Sequence, residues 1–135
     1  MRFIDTNVLL YSVSTDPRDA AKRPVAEELL RSQDLALSVQ VLQEFHAQAT
    51  RPTRFGTLQH EQAATIIASL KRFPILDNTV EVFESALTIR GRWPLSIWDA
   101  MIIASAAKLG CGQVLTEDMQ DGAVIAGVRV VNPFG

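Results

Sequence analysis

Short apolar runs alternate along this chain with longer stretches in which apolar residues recur at helical spacing. The short runs predict strands at residues 2–5, 35–37, 74–76, 113–115 and 128–131. Strands that alternate with helices form a parallel sheet covered by helices, because consecutive parallel strands need a long crossover connection. The alternation therefore predicts an α/β fold with a short parallel sheet flanked by helices.

The longer stretches predict helices at residues 16–32, 39–50, 57–72, 79–90 and 97–109. Ser38 and Ser96 stand immediately before two of them, where helix N-caps stand, and Pro24 marks a start or a kink in the first. The apolar residues within 58–70 and 80–87 are expected to pack in the core or at a face between two copies of the chain.

Length and composition predict one folded domain. The chain has 135 residues, of which 47% are apolar, and its single cysteine excludes a disulfide framework and a multi-cysteine metal site. Asp5 interrupts the apolar start of the chain, unlike a secretory signal, and no apolar run approaches the roughly 20 residues that cross a bilayer. We therefore expect a cytoplasmic protein without a membrane partner.

The net charge of −2 argues against a protein that wraps nucleic acid in a basic surface. Any attraction for nucleic acid must then be local, and bound cations or a few arginines must supply it. The commoner interpretation of such residues is a solvated loop whose arginines face water and whose tryptophan packs in the core. The candidates for contacts with phosphates or bases are Arg51, Arg54, Arg90, Arg92 and Trp93.

Four acidic residues stand where a sheet of this kind carries its functional site, which is beyond the carboxyl ends of the strands. Asp5 and Asp118 follow predicted strands. Glu44 and Asp99 lie in early turns of helices that begin near the same edge. Each acid alone has an ordinary interpretation as a turn, helix-cap or solvated residue. Together they are expected to converge on one pocket.

Carboxylates that are crowded into one pocket repel each other, and partial burial adds to the cost. A bound divalent cation removes this penalty. Because all the ligands would be hard oxygen atoms, the pattern favours Mg²⁺ or Mn²⁺ over zinc.

The same residues resemble the acidic motifs of the PIN-domain family. The resemblance rests on residues 3–7 (FIDTN), Glu44, residues 96–102 and residues 115–118, in order and at similar spacing over essentially the whole chain. Residues 98–100 and 116–122 are most similar to VapC-type toxins. The resemblance implies a single three-layer PIN-like nuclease domain over residues 1–135.

The resemblance also implies an activity, a cofactor and partners. It implies an endoribonuclease that depends on Mg²⁺ or Mn²⁺ and hydrolyses RNA phosphodiester bonds. Such proteins are often homodimers, and a cognate antitoxin holds them silent. The catalytic and metal-binding acids of the family correspond here to Asp5, Glu44, Asp99 and Asp118.

Three further residues are expected to support these acids. Asn7 and Thr116 would be nearby polar groups, and Asp121 stands where some relatives use an extra acid. Glu117 lies beside Asp118 and competes with it for any role.

Two other function classes fit parts of the pattern. A phospho-receiver signalling domain also combines a short α/β fold with Mg²⁺ and aspartates, but it has an acidic pair after its first strand and a lysine before a late proline. Here the first strand offers only Asp5, and Asn132 precedes Pro133. A catalytically silent PIN-like module that binds RNA or protein would keep the fold, and the presence of all four acids argues against it.

Overall fold

The computed structural model describes residues 1–135. Its strands are β1 Arg2–Ile4, β2 Leu35–Ser38, β3 Ile75–Leu76, β4 Gln113–Leu115, β5 Val124–Ile125 and β6 Val128–Val131. Its helices are α1 Thr6–Ser12, α2 Lys22–Leu30, α3 Val39–Ala49, α4 His60–Leu70, α5 Val80–Arg92 and α6 Ile97–Lys108, with a 3₁₀ turn at Pro17–Asp19.

The six strands form one sheet in the order β3-β2-β1-β4-β6-β5, parallel throughout except for the β5–β6 pair. Phe3 and Ile4 of the central strand β1 are fully buried, as strands covered by helices require. The predicted α/β fold with a parallel sheet is confirmed. In the register of β1 and β4, Ile4 pairs with Leu115, so the two strands end side by side.

Two predicted caps direct helices away from this edge of the sheet. The hydroxyl oxygen of Ser38 accepts a hydrogen bond from the backbone N–H of Val41, and that of Ser96 accepts one from Asp99. Each serine therefore satisfies a backbone donor that would otherwise lack a partner in the first turn. As a result, α3 and α6 begin at the carboxyl edge.

The helices and strands depart most from the sequence prediction in three places. Helix α1 was not predicted, because Asp5, which begins it as N-cap, also suits a turn. The predicted helix 16–32 is a 3₁₀ turn followed by α2. Pro24 lies in the first turn of α2, where a backbone N–H has no partner within the helix, so the N–H that proline lacks is not needed. Strand β5 was also missed. It pairs with β6 through a tight turn in which Ala126 and Gly127 have φ angles of 49° and 82°.

Helix α5 exposes much of its apolar surface. Val82, Ala86 and Ile89 are buried, whereas Val80 is 72% exposed and Leu87 is 49% exposed. Residues 80–87 therefore belong only in part to the core. No helix has the length and apolar character needed to cross a membrane.

Candidate active site

Asp5 is the buried centre of the candidate site. It connects β1 to α1 and is only 4% exposed. Its Oδ1 accepts a hydrogen bond of 2.7 Å from the backbone N–H of Thr6, and its Oδ2 accepts one of 2.9 Å from the hydroxyl of Thr116. Both oxygens of the carboxylate are thus held in place by the fold.

Burial raises the pKa of Asp5 to about 6, because the charged carboxylate loses its hydration. The hydrogen bonds from Thr6 and Thr116 oppose this shift. The negative charges of Asp118 and Glu44 add to it. Asp5 is therefore a carboxylate whose charged form lacks a compensating cation.

Thr116 connects Asp5 to Asp118. Its buried hydroxyl donates to Asp5 and accepts hydrogen bonds from the Nδ2 of Asn7 at 3.0 Å and from the backbone N–H of Asp118 at 3.1 Å. The Nδ2 of Asn7 also donates to Oδ2 of Asp118 at 3.0 Å. Two of the three residues expected to support the acids, Asn7 and Thr116, lie between Asp5 and Asp118.

Glu44 is held on the other side of Asp5. Its Oε2 accepts a hydrogen bond of 2.9 Å from the hydroxyl of Thr6, and its Oε1 accepts one of 2.8 Å from Nε2 of Gln40. Thr6 therefore connects the two acids, since its N–H binds Asp5 while its hydroxyl binds Glu44.

Asp99 lies half-buried in the first turn of α6. Burial raises the pKa of its side chain, and the charges of Asp118 and Glu44 raise it further. With Asp118 it lines a groove of about 460 Å³, whose other walls include Trp93 and Val124. The four predicted acids therefore influence one another electrostatically, as expected for one site.

The oxygen-rich character of this site fits a hard divalent cation. Oδ1 of Asn7 is buried and has no hydrogen-bond partner, although the amide nitrogen of the same side chain binds Asp118. No three His, Cys, Asp or Glu side chains lie close enough together to hold a metal ion by themselves. Mg²⁺ does not need such a group, because it usually keeps several water ligands and binds only one or two carboxylates.

The two acids near Asp118 in sequence, Glu117 and Asp121, have other partners. Glu117 accepts hydrogen bonds from the hydroxyl of Tyr11 and, at 2.8 Å, from Nζ of Lys22. Oδ1 of Asp121 accepts a hydrogen bond of 2.8 Å from the backbone N–H of Asn132. Neither acid takes part in the hydrogen-bond network around Asp5.

Sequence reasoning missed Gln40 and the bridging role of Thr6. Gln40 is 5% exposed and precedes Glu44 by four residues, a spacing that places both on one face of a helix. That spacing was the sequence signal that could have identified Gln40. Sequence reasoning also missed a contact between two histidines. The ring nitrogens of His46 and His60 lie 2.8 Å apart, although the two residues are 14 apart in sequence.

Comparison with known proteins identifies the family to which this fold belongs. The family model described as the PIN domain matches residues 2–120. Comparison with curated proteins finds no match. Among solved structures, the chain is similar to a toxin–antitoxin complex from Klebsiella pneumoniae, at 23% identity and a TM-score of 0.71, over 98% of each chain.

Two further solved structures have the same fold. VapC20 from Mycobacterium tuberculosis, described as a toxin that cleaves the sarcin–ricin loop, is 22% identical over 96% of this chain and 99% of its own, with a TM-score of 0.70. FitAcB from Neisseria gonorrhoeae is 20% identical over 99% of each chain, with a TM-score of 0.69.

Proposed function

This chain belongs to the PIN-domain family, and from that premise we propose that it is a metal-dependent endoribonuclease and the toxin of a toxin–antitoxin pair. We treat residues 1–135 as one nuclease domain. The observation that carries the proposal is the buried carboxylate of Asp5. Two neighbouring acids make its negative charge less favourable, and no positively charged side chain of the protein compensates it.

The proposed catalytic and metal-binding residues are Asp5, Glu44, Asp99 and Asp118, with Asn7 and Thr116 in support. Mg²⁺ or Mn²⁺ bound there would lower the pKa of a water molecule and neutralise charge on the scissile phosphate. Asp121 is left out of the proposed site because its carboxylate binds the backbone of Asn132.

Each side chain has a role that its contacts support. Thr116 holds Oδ2 of Asp5, which leaves the remaining lone pairs of that carboxylate for a ligand. Thr6 and Gln40 hold the two oxygens of Glu44, whose charge acts on both Asp5 and Asp99, so this carboxylate is positioned to bind a water molecule or a cation shared with them. Asp118 is the most exposed of the four acids and borders the groove, where it can meet the substrate first.

RNA is the proposed substrate because the similar VapC20 is described as cleaving the sarcin–ricin loop. A cognate antitoxin is the proposed protein partner, since the similar Klebsiella structure is a toxin–antitoxin complex. The proposed homodimer would use the exposed apolar side chains of Val80, Phe83, Leu87 and Trp98.

The test is cleavage of mixed RNA by purified, antitoxin-free protein in Mg²⁺ or Mn²⁺, repeated with a chelator and with Asp99→Asn. We expect cleavage that requires the cation and is lost in the variant. Asp77→Asn is the matched control, because it removes an exposed carboxylate after β3, outside the network, and should leave cleavage unchanged.

The same experiment separates the enzyme from a silent binding module. A folded protein that binds RNA but cleaves none in any divalent cation would favour the silent module and contradict the proposed function. Membership of the PIN-domain family leaves the phospho-receiver alternative without support.

A further inference from the structure

Beyond the end of α3 lies a polar pocket of about 330 Å³ that contains two arginines without a carboxylate partner. Arg51 and Arg54 line it, and neither takes part in any of the five ion pairs of the structure. Phe55 is the only apolar residue among the nine that line the pocket. Such a pocket has the chemistry of an anion site rather than of an apolar ligand site.

The acids of this pocket are already engaged. Asp16 accepts hydrogen bonds from Arg18, the shortest of them 2.6 Å long, and Oδ2 of Asp19 accepts one of 2.6 Å from the hydroxyl of Ser14. Hydrogen bonds from Arg18 lower the pKa of Asp16, and the charge of Arg54 adds to this effect. Asp16 therefore has Arg18 as its main partner, and neither Arg51 nor Arg54 forms an ion pair with an acid of the pocket.

The loop that carries the two arginines is ordered by the fold. Its backbone is closed by hydrogen bonds from Arg54 to Arg51 at 3.0 Å and from Leu58 to Ala49 at 2.8 Å. Gly56 has a φ angle of +67°, and a side chain there would collide with the hydroxyl of Thr15. The loop therefore packs closely against the segment that follows α1.

The pocket lies along the same helix face as the acidic site. Gln40, Glu44 and Gln48 follow one another at intervals of four residues on α3, and Gln48 lines the pocket. Four helical residues span roughly 6 Å, so the pocket begins about one turn beyond Glu44. Helix α1 runs alongside, with Thr6 at its start bound to Glu44 and Ser14, two residues beyond its end, in the pocket wall.

We propose that this pocket, the arginine pocket, binds a backbone phosphate of single-stranded RNA one or two nucleotides from the scissile bond. The inference rests on the proposed function, because it assigns a second subsite to the same substrate. Arg51 and Arg54 would bind the phosphate, and Phe55, which is 57% exposed, would offer a face on which a base stacks. A local site of this kind would let a chain of net charge −2 bind a polyanion.

The first arm of the test measures binding without cleavage. A labelled single-stranded RNA of about 12 nucleotides, within the range that such grooves accommodate, is titrated by fluorescence anisotropy with Asp99→Asn protein in Mn²⁺. Adding Arg51→Gln and Arg54→Gln should raise Kd about tenfold. It should also reduce the slope of log Kd against log salt by about 0.7, for one lost phosphate contact.

Arg31→Gln in the same background is the matched control. It removes one exposed arginine that lies after α2 and before β2, at the opposite edge of the sheet. We expect a Kd within twofold of the parent protein. If the double arginine variant also stays within twofold and keeps the parent slope, the arginine pocket does not bind RNA and the proposal is wrong.

The second arm measures cleavage in the otherwise unchanged protein. The Arg51→Gln, Arg54→Gln variant should raise KM about tenfold on long RNA and leave kcat within threefold, because the pocket touches no reacting atom. On RNA too short to reach the pocket, KM should be unchanged. Absence of cleavage by the wild-type protein would contradict the proposed function, and the binding arm would still decide on the pocket.

Discussion

Nε2 of Gln40 donates one hydrogen bond of 2.8 Å to Oε1 of Glu44 and another of 3.3 Å to the backbone carbonyl oxygen of Trp98. One buried amide thereby connects α3 to the beginning of α6. Because Asp99 follows Trp98 directly, this amide sets the position of Glu44 relative to Asp99. Gln40 touches neither substrate nor cation in the proposed site and is a positioning residue.

Replacing Gln40 by methionine tests this role. Gln40→Met keeps the volume but loses the donor, so Glu44 should rotate away from its position. We expect kcat for RNA cleavage to fall roughly 10- to 100-fold, as is common for residues that orient metal ligands. KM should change little, because the substrate contacts remain.

Gln43→Met is the control for this prediction, since Gln43 is an exposed residue of α3 whose side chain accepts a hydrogen bond only from Asn78. It should cleave as the wild type does. A side chain that donates a hydrogen bond at this position should restore part of the activity. A folded Gln40→Lys variant should therefore keep more activity than Gln40→Met. Equal activity in Gln40→Met and wild type would show that the amide has no positioning role.

Asp5 should make stability depend on pH in the absence of divalent cations. Its pKa is raised to about 6, mainly by burial, from an ordinary value of 3.8. Between these values the folded protein holds a proton that the unfolded chain has released, so this group's contribution to stability falls as pH rises from about 4 to 6. The full penalty at pH 7 is about 3 kcal/mol.

Urea unfolding of wild type and Asp5→Asn from pH 4 to 7.5, in chelator, measures this penalty. The free energy of unfolding of Asp5→Asn should increase relative to that of the wild type as the pH rises from about 4 to 6. Asp77→Asn should follow the wild-type curve. Parallel curves for wild type and Asp5→Asn would mean that burial of Asp5 carries no such penalty. Asp5→Asn should also abolish RNA cleavage while the protein stays folded.

Divalent cations should stabilise the folded protein through the same acids. Mn²⁺ at about 100 times its Kd adds roughly 2.7 kcal/mol to the free energy of unfolding, if the unfolded chain does not bind it. We expect Tm to rise with Mn²⁺ in the wild type and to rise less in Asp118→Asn. A Tm that responds equally in both proteins would place the cation elsewhere.

Two adjacent acids should behave in opposite ways. Glu117 binds Tyr11 and Lys22, and the ammonium group of Lys22 also lies 4.8 Å from the centre of the Tyr11 ring. Glu117→Gln should therefore cost about 1 kcal/mol of stability and leave kcat within threefold. Asp118→Asn should keep Tm in chelator close to that of the wild type and lose at least about 100-fold in kcat.

Thermal unfolding and RNA cleavage of the two variants check this contrast. A large loss of kcat in Glu117→Gln, measured where it is fully folded, would show that Glu117 takes part in the site. In that case the contacts with Tyr11 and Lys22 would serve to position it.

Local sequence patterns predicted most of the architecture. The helix caps at Ser38 and Ser96 and the strands 113–115 and 128–131 were correct because they depend on residue type and spacing within a few positions. Helix α1 was missed because Asp5, Thr6 and Asn7 favour turns as much as helix starts. The apolar residues of 80–87 were expected in the core or at a face between two copies, because spacing alone does not say which side of a helix meets the sheet, and the structure buries only some of them.

The sequence by itself determined the fold class, the edge of the sheet at which a site would form, and the four acids that stand there. Only the tertiary structure decided which polar groups hold those acids. Thr116 and Asp5 are 111 residues apart, and Thr6 and Glu44 are 38 apart. These contacts exist because parallel strands end, and the helices that follow them begin, at one edge, and pairing across the sheet leaves no periodic signal in the chain.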